Sequence, residues 1–213
     1  MTLFPHRTLD APVPPAVAAT PVSAGRAWLS SLLLPGAGQL YCGARTRGLA
    51  TLLIFSASVA AILFEEFRWL GVRMAVMLYA FAGVDAWSTA IERNAGIDAD
   101  APDNPRVAAI LNLTTNGFGY VYLGWKFGFG TFFALMLFWR RVGPILPAVG
   151  EAVAFALAAH AYIGGRNERR EVYPATPPPD SSIPATLPWL VSGTILAGWA
   201  AFVVIVQVLL LRR

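Results

Sequence analysis

The sequence alternates between long apolar runs and short polar connections, a pattern typical of membrane helices. In chain order, the apolar segments are Ala27–Tyr41, Gly48–Phe64, Leu70–Ile91, Val107–Leu123, Gly128–Trp139, Gly143–Gly165 and Leu187–Leu211. A helix that crosses a membrane needs about 20 apolar residues, or ~17 at the least. Segments two, three, six and seven meet this length, whereas the fifth is short and stops at two arginines. The chain is therefore predicted to be an all-α integral membrane protein.

The first and fourth segments are interrupted by helix-breaking or polar residues. Pro35 and Gly36 lie near the centre of the first, and the fourth contains Asn112 and the run Thr114–Gly117. Proline removes a helical hydrogen bond, and glycine weakens a helix further. Each of these segments can therefore be a kinked full span, or a broken, re-entrant or interfacial segment that does not cross.

The basic residues favour the second alternative. If all segments cross, the two faces carry seven and eight basic residues, and if the first and fourth do not cross, the split becomes ten against five. Basic residues are enriched in cytoplasmic connections. We therefore prefer five full spans, with the N-terminus in the cytoplasm and the C-terminus outside.

The composition agrees with a membrane protein and argues against several other functions. Of the 213 residues, 56% are hydrophobic and 13% are charged, whereas soluble domains carry about 25% charged residues. The net charge is +4, but the charged residues are scattered over short connections and form no dense basic face, so no nucleic-acid partner is predicted. Cys42 is the only cysteine, which precludes an intrachain disulfide, and His6 and His160 lack the spacing of metal ligands. The lipid bilayer is the expected partner, and neither a metal nor a cofactor is predicted.

Polar and proline-rich stretches divide the chain into units. The first 25 residues are rich in proline and alanine, lack the apolar stretch of a secretion signal and are predicted to be disordered. The predicted organisation is this tail (1–25), a first membrane unit (26–94), a polar linker (95–106), a second membrane unit (107–165), a proline-rich connection (166–186) and a C-terminal transmembrane helix (187–213).

A glycine-rich motif occurs twice, at a constant spacing of 81 residues. Three glycines and a tyrosine recur, so that Gly36, Gly38, Tyr41 and Gly43 correspond to Gly117, Gly119, Tyr122 and Gly124. Pro35 and Gln39 belong to the first copy alone. Small residues allow another backbone to approach closely, and a tyrosine ring suits the membrane interface. The motif predicts two repeated helical membrane modules, each with a tight turn, followed by one extra C-terminal transmembrane helix.

Both copies resemble the TM-two domain family of small membrane modules. The run Leu34-Pro35-Gly36-Ala37-Gly38-Gln39-Leu40-Tyr41-Cys42-Gly43 is similar to the Pro-Gly-x-Gly-Gln-x-Tyr-x-Gly variant of bacterial relatives, and Gly117-Phe118-Gly119-Tyr120-Val121-Tyr122-Leu123-Gly124 is similar to the family signature. The first unit also ends like those relatives, in Asp85-Ala86-Trp87-Ser88-Thr89-Ala90, whereas the second ends in His160-Ala161-Tyr162. The resemblance covers about residues 27–165. It implies two tandem modules in a bacterial inner membrane, and it implies no reaction.

Four ionisable residues lie inside predicted spans, namely Arg73, Asp85, Glu151 and His160. An unpaired charge at the centre of a bilayer costs about 2.5–3.5 kcal/mol, so such residues need a partner, water or an interface. Asp85 and His160 hold matching positions, 75 residues apart, near the ends of their segments. The same alignment puts Glu151 within about 4.5 Å of Arg73 in depth. We therefore predict an ion pair between Arg73 and Glu151, across segments three and six in the outer half of the membrane. The alternatives are a proton-relay path, or side chains that each reach the membrane interface on their own.

No enzyme signature accompanies these features, since P-loop, Gly-x-Ser-x-Gly, His-Glu-x-x-His and dinucleotide motifs are absent. The first hypothesis is a non-catalytic multi-pass membrane protein that packs with itself or with a membrane partner through its glycine-rich turns. The alternative is a small transporter or channel, because broken segments at corresponding positions of two halves often mark a central site. Such a site needs a water-accessible cavity between the repeats, lined by Gln39, Asp85, Asn112, Asn116 or His160.

Overall fold

The computed structural model describes residues 21–97, 100, 104–115, 118–125, 130, 134, 137, 147–168 and 183–211. In chain order the elements are α1 (Ala24–Leu33), α2 (Ala37–Tyr41), α3 (Arg45–Ala61), a 3₁₀ turn (Glu65–Phe67), α4 (Arg68–Asn94), α5 (Pro105–Thr115), α6 (Phe118–Tyr122), α7 (Pro147–Glu168) and α8 (Thr186–Leu211). No strand occurs within these residues. The predicted all-α fold is therefore confirmed for the described part of the chain.

Among the described residues, three helices are long and apolar enough to cross a membrane: Glu65–Asn94, Ala148–Asn167 and Thr186–Leu209. They correspond to the predicted segments three, six and seven. Helix α3, which corresponds to segment two, has 17 residues, and at 1.5 Å per residue it extends over about 26 Å, close to the ~30 Å of a bilayer core. Most of segment five, residues 1–20 of the tail and much of the 166–186 connection lie outside the described residues.

Helix α4 is the centre of the fold, since α1, α3, α5 and α8 all pack against it. Its two ends are a convenient reference: the Arg68 end, where it begins, and the Asn94 end, where it stops. Helix α3 starts beside the Asn94 end and runs antiparallel to α4, so that the carbonyl oxygen of Ser58 lies 2.6 Å from the place of a Cβ on Gly71. The absence of a side chain at Gly71 lets the two backbones pack closely.

Helices α1 and α2 form a hairpin that begins and ends near the Asn94 end. Ser23 caps α1, because its hydroxyl accepts a hydrogen bond from a backbone N–H of the first turn at 3.3 Å. Helix α1 extends along only about half of α4, where the hydroxyl of Tyr79 donates to the carbonyl oxygen of Leu32 at 2.8 Å. The chain then breaks at Gly36, whose φ is 100°, and α2 returns beside α1.

Helices α5 and α6 form a second hairpin of similar shape. Leu113, near the end of α5, packs with Met77 in the central part of α4. Helix α6 then returns, so that the backbone N–H of Asn104, just before α5, donates to the hydroxyl of Tyr122 at 3.2 Å. The helices α1 and α5 have 10 and 11 residues, or about 15–17 Å, which is half of a bilayer core. Neither broken segment runs the length of the bundle, which agrees with the preferred alternative, in which the first and fourth segments do not cross. Their position in a membrane stays a prediction.

Helices α7 and α8 also belong to the bundle. Helix α7 packs against α5 and runs parallel to α4, since Glu151 near its start contacts Arg73 near the start of α4. Helix α8 runs antiparallel to α4. Leu187 packs into the apolar cluster where α4 stops, and the ring of Trp199 lies 5.3 Å from that of Trp69, where α4 starts. We call α1–α4 the first half and α5–α7 the second half; Arg106, expected in the linker, lies in α5 and so belongs to the second half. The two halves share one helix bundle, and their polar side chains meet inside it.

Candidate functional site

The two halves of the chain meet at a group of buried charges that we call the Asp85 cluster, which comprises Gln39, Arg47, Asp85, Glu92 and Arg106. Asp85 is 3% exposed. Gln39 Nε2 donates to its Oδ2 at 3.0 Å, and Arg47 Nη1 and Arg106 Nε lie 3.5 and 3.2 Å from its Oδ1. Helices α2, α3 and α5 therefore each supply one donor to a single carboxylate on α4.

Arg106 joins two acidic residues of α4. Its Nη2 lies 2.6 Å from Glu92 Oε2, while its Nε contacts Asp85. Burial by itself would lower the pKa of Arg106, but Glu92 and Asp85 raise that pKa above its ordinary value, so the guanidinium stays charged. The two arginines and two carboxylates of the cluster balance in formal charge, which offsets the cost of burying each of them.

The residues around the cluster hold its charged groups in place. Asp85, Thr89 and Glu92 share one face of α4, because side chains three and four residues apart are neighbours on a helix. The hydroxyl of Thr89 accepts a hydrogen bond from Arg47 Nη1 at 3.0 Å and donates to the carbonyl oxygen of Asp85 at 2.7 Å. Asp100 accepts from two backbone N–H groups in the first turn of α3, each at 3.2 Å. A carboxylate is favourable at a helix N-terminus, so Asp100 fixes the helix that carries Arg47.

A second buried ion pair joins the halves nearer the Arg68 end. Arg73 Nε lies 2.6 Å from Glu151 Oε1, and the two residues are 1% and 4% exposed. Arg73 Nη1 also donates to the carbonyl oxygen of Thr114, at the end of α5, at 3.2 Å. The predicted pairing of Arg73 with Glu151 is therefore confirmed, whereas its depth in a membrane remains a prediction.

The first glycine turn packs against the chain itself. A Cβ added at Gly38 would collide with a carbonyl oxygen of α1, and one added at Gly36 would lie 2.5 Å from a carbonyl oxygen of α3. Gly36 and Gly43 also have φ values of 100° and 81°, which favour glycine. Pro35 is fully buried beside them. Gly36 and Gly38 therefore face α3 and α1 of the same chain, whereas contact of this turn with a partner stays a prediction.

The second glycine turn has a similar geometry. A Cβ added at Gly119 would collide with a carbonyl oxygen of α5, and Gly124 has a φ of 71°. Gly117 lies outside the described residues. The two tyrosines of the motif differ, since Tyr122 is partly buried and hydrogen-bonded to the backbone before α5, whereas Tyr41 is 40% exposed.

The residue after the second glycine of each turn makes matching contacts. Gln39 donates to Asp85 at 3.0 Å and to the carbonyl oxygen three residues before it at 3.1 Å. Tyr120, 81 residues after Gln39, has its hydroxyl 3.1 Å from His160 Nδ1 and donates to the carbonyl oxygen three residues before that histidine at 3.2 Å. Asp85 and His160 therefore hold corresponding places, but Asp85 is buried, whereas His160 is exposed and meets the rings of Tyr120 and Trp125 edge-on.

Cys42 is poorly suited to chemistry. Its side chain is buried, and burial raises the pKa of the thiol to about 12. The thiolate is the reactive and metal-binding form, so Cys42 acts as a small core residue. In the described ranges, no group of three or more His, Cys, Asp or Glu side chains is placed to hold a metal ion.

Two cavities flank the Asp85 cluster. The larger, of about 380 Å³, lies between α3, α4 and α5, and the smaller, of about 210 Å³, lies between α4, α5, α7 and α8. Asp85 lines both. Arg47 and Asp100 line the larger cavity, and Arg106 and Trp189 line the smaller. Most of the remaining lining residues are apolar.

The polar residues expected to line a transport site are mostly engaged inside the fold. Gln39 and Asn112 are 1% and 0% exposed, and neither lines either of these two cavities. Asn112 Nδ2 donates instead to a carbonyl oxygen of α7 at 3.0 Å. Asp85 does line a cavity, but its oxygens are bound by Gln39 and two arginines. His160 is exposed, and Asn116 lies outside the described residues.

Sequence reasoning missed the partners of Asp85. Arg47 and Arg106 fall in predicted connections, as does Asp100, which binds the start of α3, and Glu92 lies just beyond a predicted span. A signal for Glu92 was present, because it shares a helix face with Asp85 at the end of an otherwise apolar segment. No such signal identified the arginines, since they come from helices far apart in sequence.

Comparison with known proteins gives no match: no family model matches the chain, and no curated protein or solved structure is detectably similar to it. The resemblance to the TM-two domain family rests on the quoted motifs and stays a prediction.

Proposed function

We propose that this chain is a non-catalytic scaffold of a bacterial inner membrane that associates with itself or with a membrane partner. It consists of two tandem TM-two-like modules and one further helix, with five spans and a cytoplasmic N-terminus. Three properties of the described residues support this proposal: the buried ion pairs between the halves, the matching turns and the apolar helices.

The buried ion pairs between the two halves carry the proposal. Arg106 of the second half binds Asp85 and Glu92 of the first, and Arg73 of the first half binds Glu151 of the second. Removing one partner of a buried pair costs about 3–5 kcal/mol, because an unpaired buried charge remains. A transporter built from repeats usually moves one repeat against the other. Halves joined in this way favour a rigid scaffold over such movement.

Matching contacts support the duplication. The carbonyl oxygen of Ala27 lies against Gly38, and that of Ala108, 81 residues later, lies against Gly119. The backbone N–H groups of Ala27 and Ala108 also donate to the carbonyl oxygens of Ser23 and Asn104, four positions earlier, at 3.0 and 3.1 Å. Independent hairpins have no reason to share such a register, so we assign both to one ancestral module.

Helix α8 supports membrane insertion. Large apolar side chains are exposed on several sides of it, namely Trp189, Leu190, Phe202, Val204, Ile205, Val208 and Leu209. Soluble monomers rarely expose contiguous apolar surface of that extent. Lipid or a partner helix is the environment that removes this surface from water.

The test is fractionation followed by purification in a mild detergent. The scaffold should stay in the membrane after alkaline carbonate washing, and in-membrane crosslinking should trap a species larger than the monomer. Addition of sodium dodecyl sulfate before the crosslinker is the control for specific association. A protein that washes off, or one that stays strictly monomeric and without partners, contradicts the proposal.

The larger cavity favours a small transporter as the second candidate, because it lies between the halves beside Asp85. Thr51→Cys, which places a thiol in that cavity, separates the candidates in a background without the native cysteine. A transporter requires that membrane-impermeant thiol reagents reach this thiol from both sides of the membrane. Labelling from one side alone, or from neither, supports the scaffold.

A further inference from the structure

We propose that the larger cavity binds one hydrocarbon chain of a zwitterionic phospholipid, with the lipid head at the polar mouth of the cavity. The inference rests on the proposed insertion into a membrane. It adds a binding site and a ligand class that the scaffold proposal does not contain.

The lining of the cavity changes from polar to apolar along its length. Its polar end, which we call its mouth, lies near the Asn94 end and is formed by Thr46, Arg47, Asp100 and Tyr122. Its inner part is formed mainly by aliphatic side chains of three helices, Ile54 of α3, Leu78 of α4, and Ile110 and Leu111 of α5. Thr51 and Thr114 also line it, and the hydroxyl of Thr114 donates to its own helix backbone at 2.9 Å. A ligand that matches this lining has a polar head and an apolar tail.

The dimensions suit a single chain rather than a whole lipid. The volume of about 380 Å³ lies at the lower end of the ~300–1,000 Å³ range of ligand pockets. Along α3 the cavity extends from Thr46 to Ile54, which is eight residues of helix or about 12 Å. The second chain of the lipid would stay in the bilayer outside the groove.

The charges at the mouth decide which head group fits. Arg47 and Asp100 carry opposite charges there, while Asp85 lies deeper inside and contacts two guanidinium groups. Both residues also have partners in the chain, since Arg47 binds Asp85 and Thr89 and Asp100 accepts from two backbone N–H groups, so a head group would add to these contacts. A zwitterionic head brings a phosphate toward Arg47 and an ammonium group toward Asp100. An anionic head without an amine lacks the second of these contacts and places its charge next to two carboxylates.

The opening of the cavity also agrees with a lipid. Ala50 lines the groove and is itself exposed, so the cavity is accessible from the side of the bundle between α3 and α5. In the proposed orientation this side faces the bilayer, and a chain can enter laterally without crossing water. The aliphatic side chains of the cavity then contact one ordered hydrocarbon chain in place of mobile bulk lipid.

Native mass spectrometry of the detergent-purified full chain is the test, after delipidation and incubation with phosphatidylethanolamine or phosphatidylglycerol. Phosphatidylethanolamine should remain bound with one lipid per chain. Ala50→Trp fills the groove from an exposed position and should weaken that binding by about tenfold or more, which corresponds to ~1.4 kcal/mol. The matched control is Ala57→Trp, an exposed alanine of the same helix outside the groove, and it should bind as the native chain does.

Three results would overturn the inference: no retained lipid, preference for phosphatidylglycerol, or equal binding by both tryptophan variants. Thermal unfolding of the variants shows whether each is folded, and Thr51→Leu, a smaller filling change in the same groove, replaces Ala50→Trp if that variant unfolds. The carbonate-wash fractionation is independent of lipid retention. A chain that stays in the membrane but holds no lipid refutes this inference and leaves the scaffold proposal intact.

Discussion

Replacing Arg73 or Glu151 should destabilise the fold strongly when one is changed and much less than additively when both are changed. Arg73 is 1% exposed, lies 2.6 Å from Glu151 and also donates to the carbonyl oxygen of Thr114. Arg73→Met leaves a buried carboxylate without its counterion, and Glu151→Leu leaves a buried guanidinium. Each single change should cost about 3–5 kcal/mol. The double variant should recover part of the loss, because it leaves no unpaired charge.

The magnitude of the coupling follows from the geometry. A direct contact between buried charges gives interaction energies of about 0.5–3 kcal/mol in double-mutant cycles, and this pair should lie at the upper end. The hydrogen bond to Thr114 is lost in every variant that lacks Arg73, so it cancels from the cycle.

Detergent-titrated unfolding in mixed micelles, followed by far-UV circular dichroism, measures the four free energies of unfolding. Arg68→Met is the matched control, since Arg68 is exposed on the same helix and should cost no more than about 0.5 kcal/mol. Additive losses would refute the reasoning, because they would mean that each charge is solvated on its own.

Three further predictions use the turns, the thiol and the topology. Gly119→Ala should lower the free energy of unfolding by about 1–3 kcal/mol, measured by thermal unfolding, since the added Cβ collides with a carbonyl oxygen of α5. Gly124→Ala should lower it by only ~1 kcal/mol, because the space there is open and the cost comes from the φ of 71° alone. Equal losses would contradict this order. Because burial raises its pKa to about 12, Cys42 should stay unlabelled by maleimide at neutral and mildly alkaline pH until the chain is denatured, and rapid labelling of the folded protein would count against that burial. Arg45→Cys and Arg166→Cys, without the native cysteine, should be labelled from the cytoplasmic face, and labelling from opposite faces would exclude parallel units.

The apolar helices and their interruptions were predictable from the sequence, because they depend on local properties. The length of an apolar run decides whether a helix can cross a bilayer, and Pro35 with Gly36 breaks the first segment wherever it packs. The Arg73–Glu151 pair was also predictable. Aligning Asp85 with His160 gave Arg73 and Glu151 a similar depth, and two opposite charges among apolar neighbours at that depth favour pairing.

The Asp85 cluster shows what the sequence could not supply. Asp85 was identified as an ionisable residue in a span, but an interfacial position satisfied it equally well. Its partners come from α2, α3 and α5, and which of several nearby arginines reaches it depends on how those helices cross. The packing of Gly36, Gly38 and Gly119 against the chain itself was not predictable for a related reason. A small residue allows close packing against it, but the sequence does not determine whether the packed group belongs to another molecule or to the same chain.

The sequence by itself therefore determined the helical class, the places where helices break and the matching of the two turns, since these follow from residue-by-residue chemistry. Only the tertiary structure decided that both broken segments return to the end where they began, and that α1 and α3 pack against the glycines of the first turn. It also decided that four charges from three helices neutralise each other around Asp85. The physical reason is that ion pairing and close packing act between segments distant in the chain. Their energies depend on distances of a few ångströms that arise when the helices assemble.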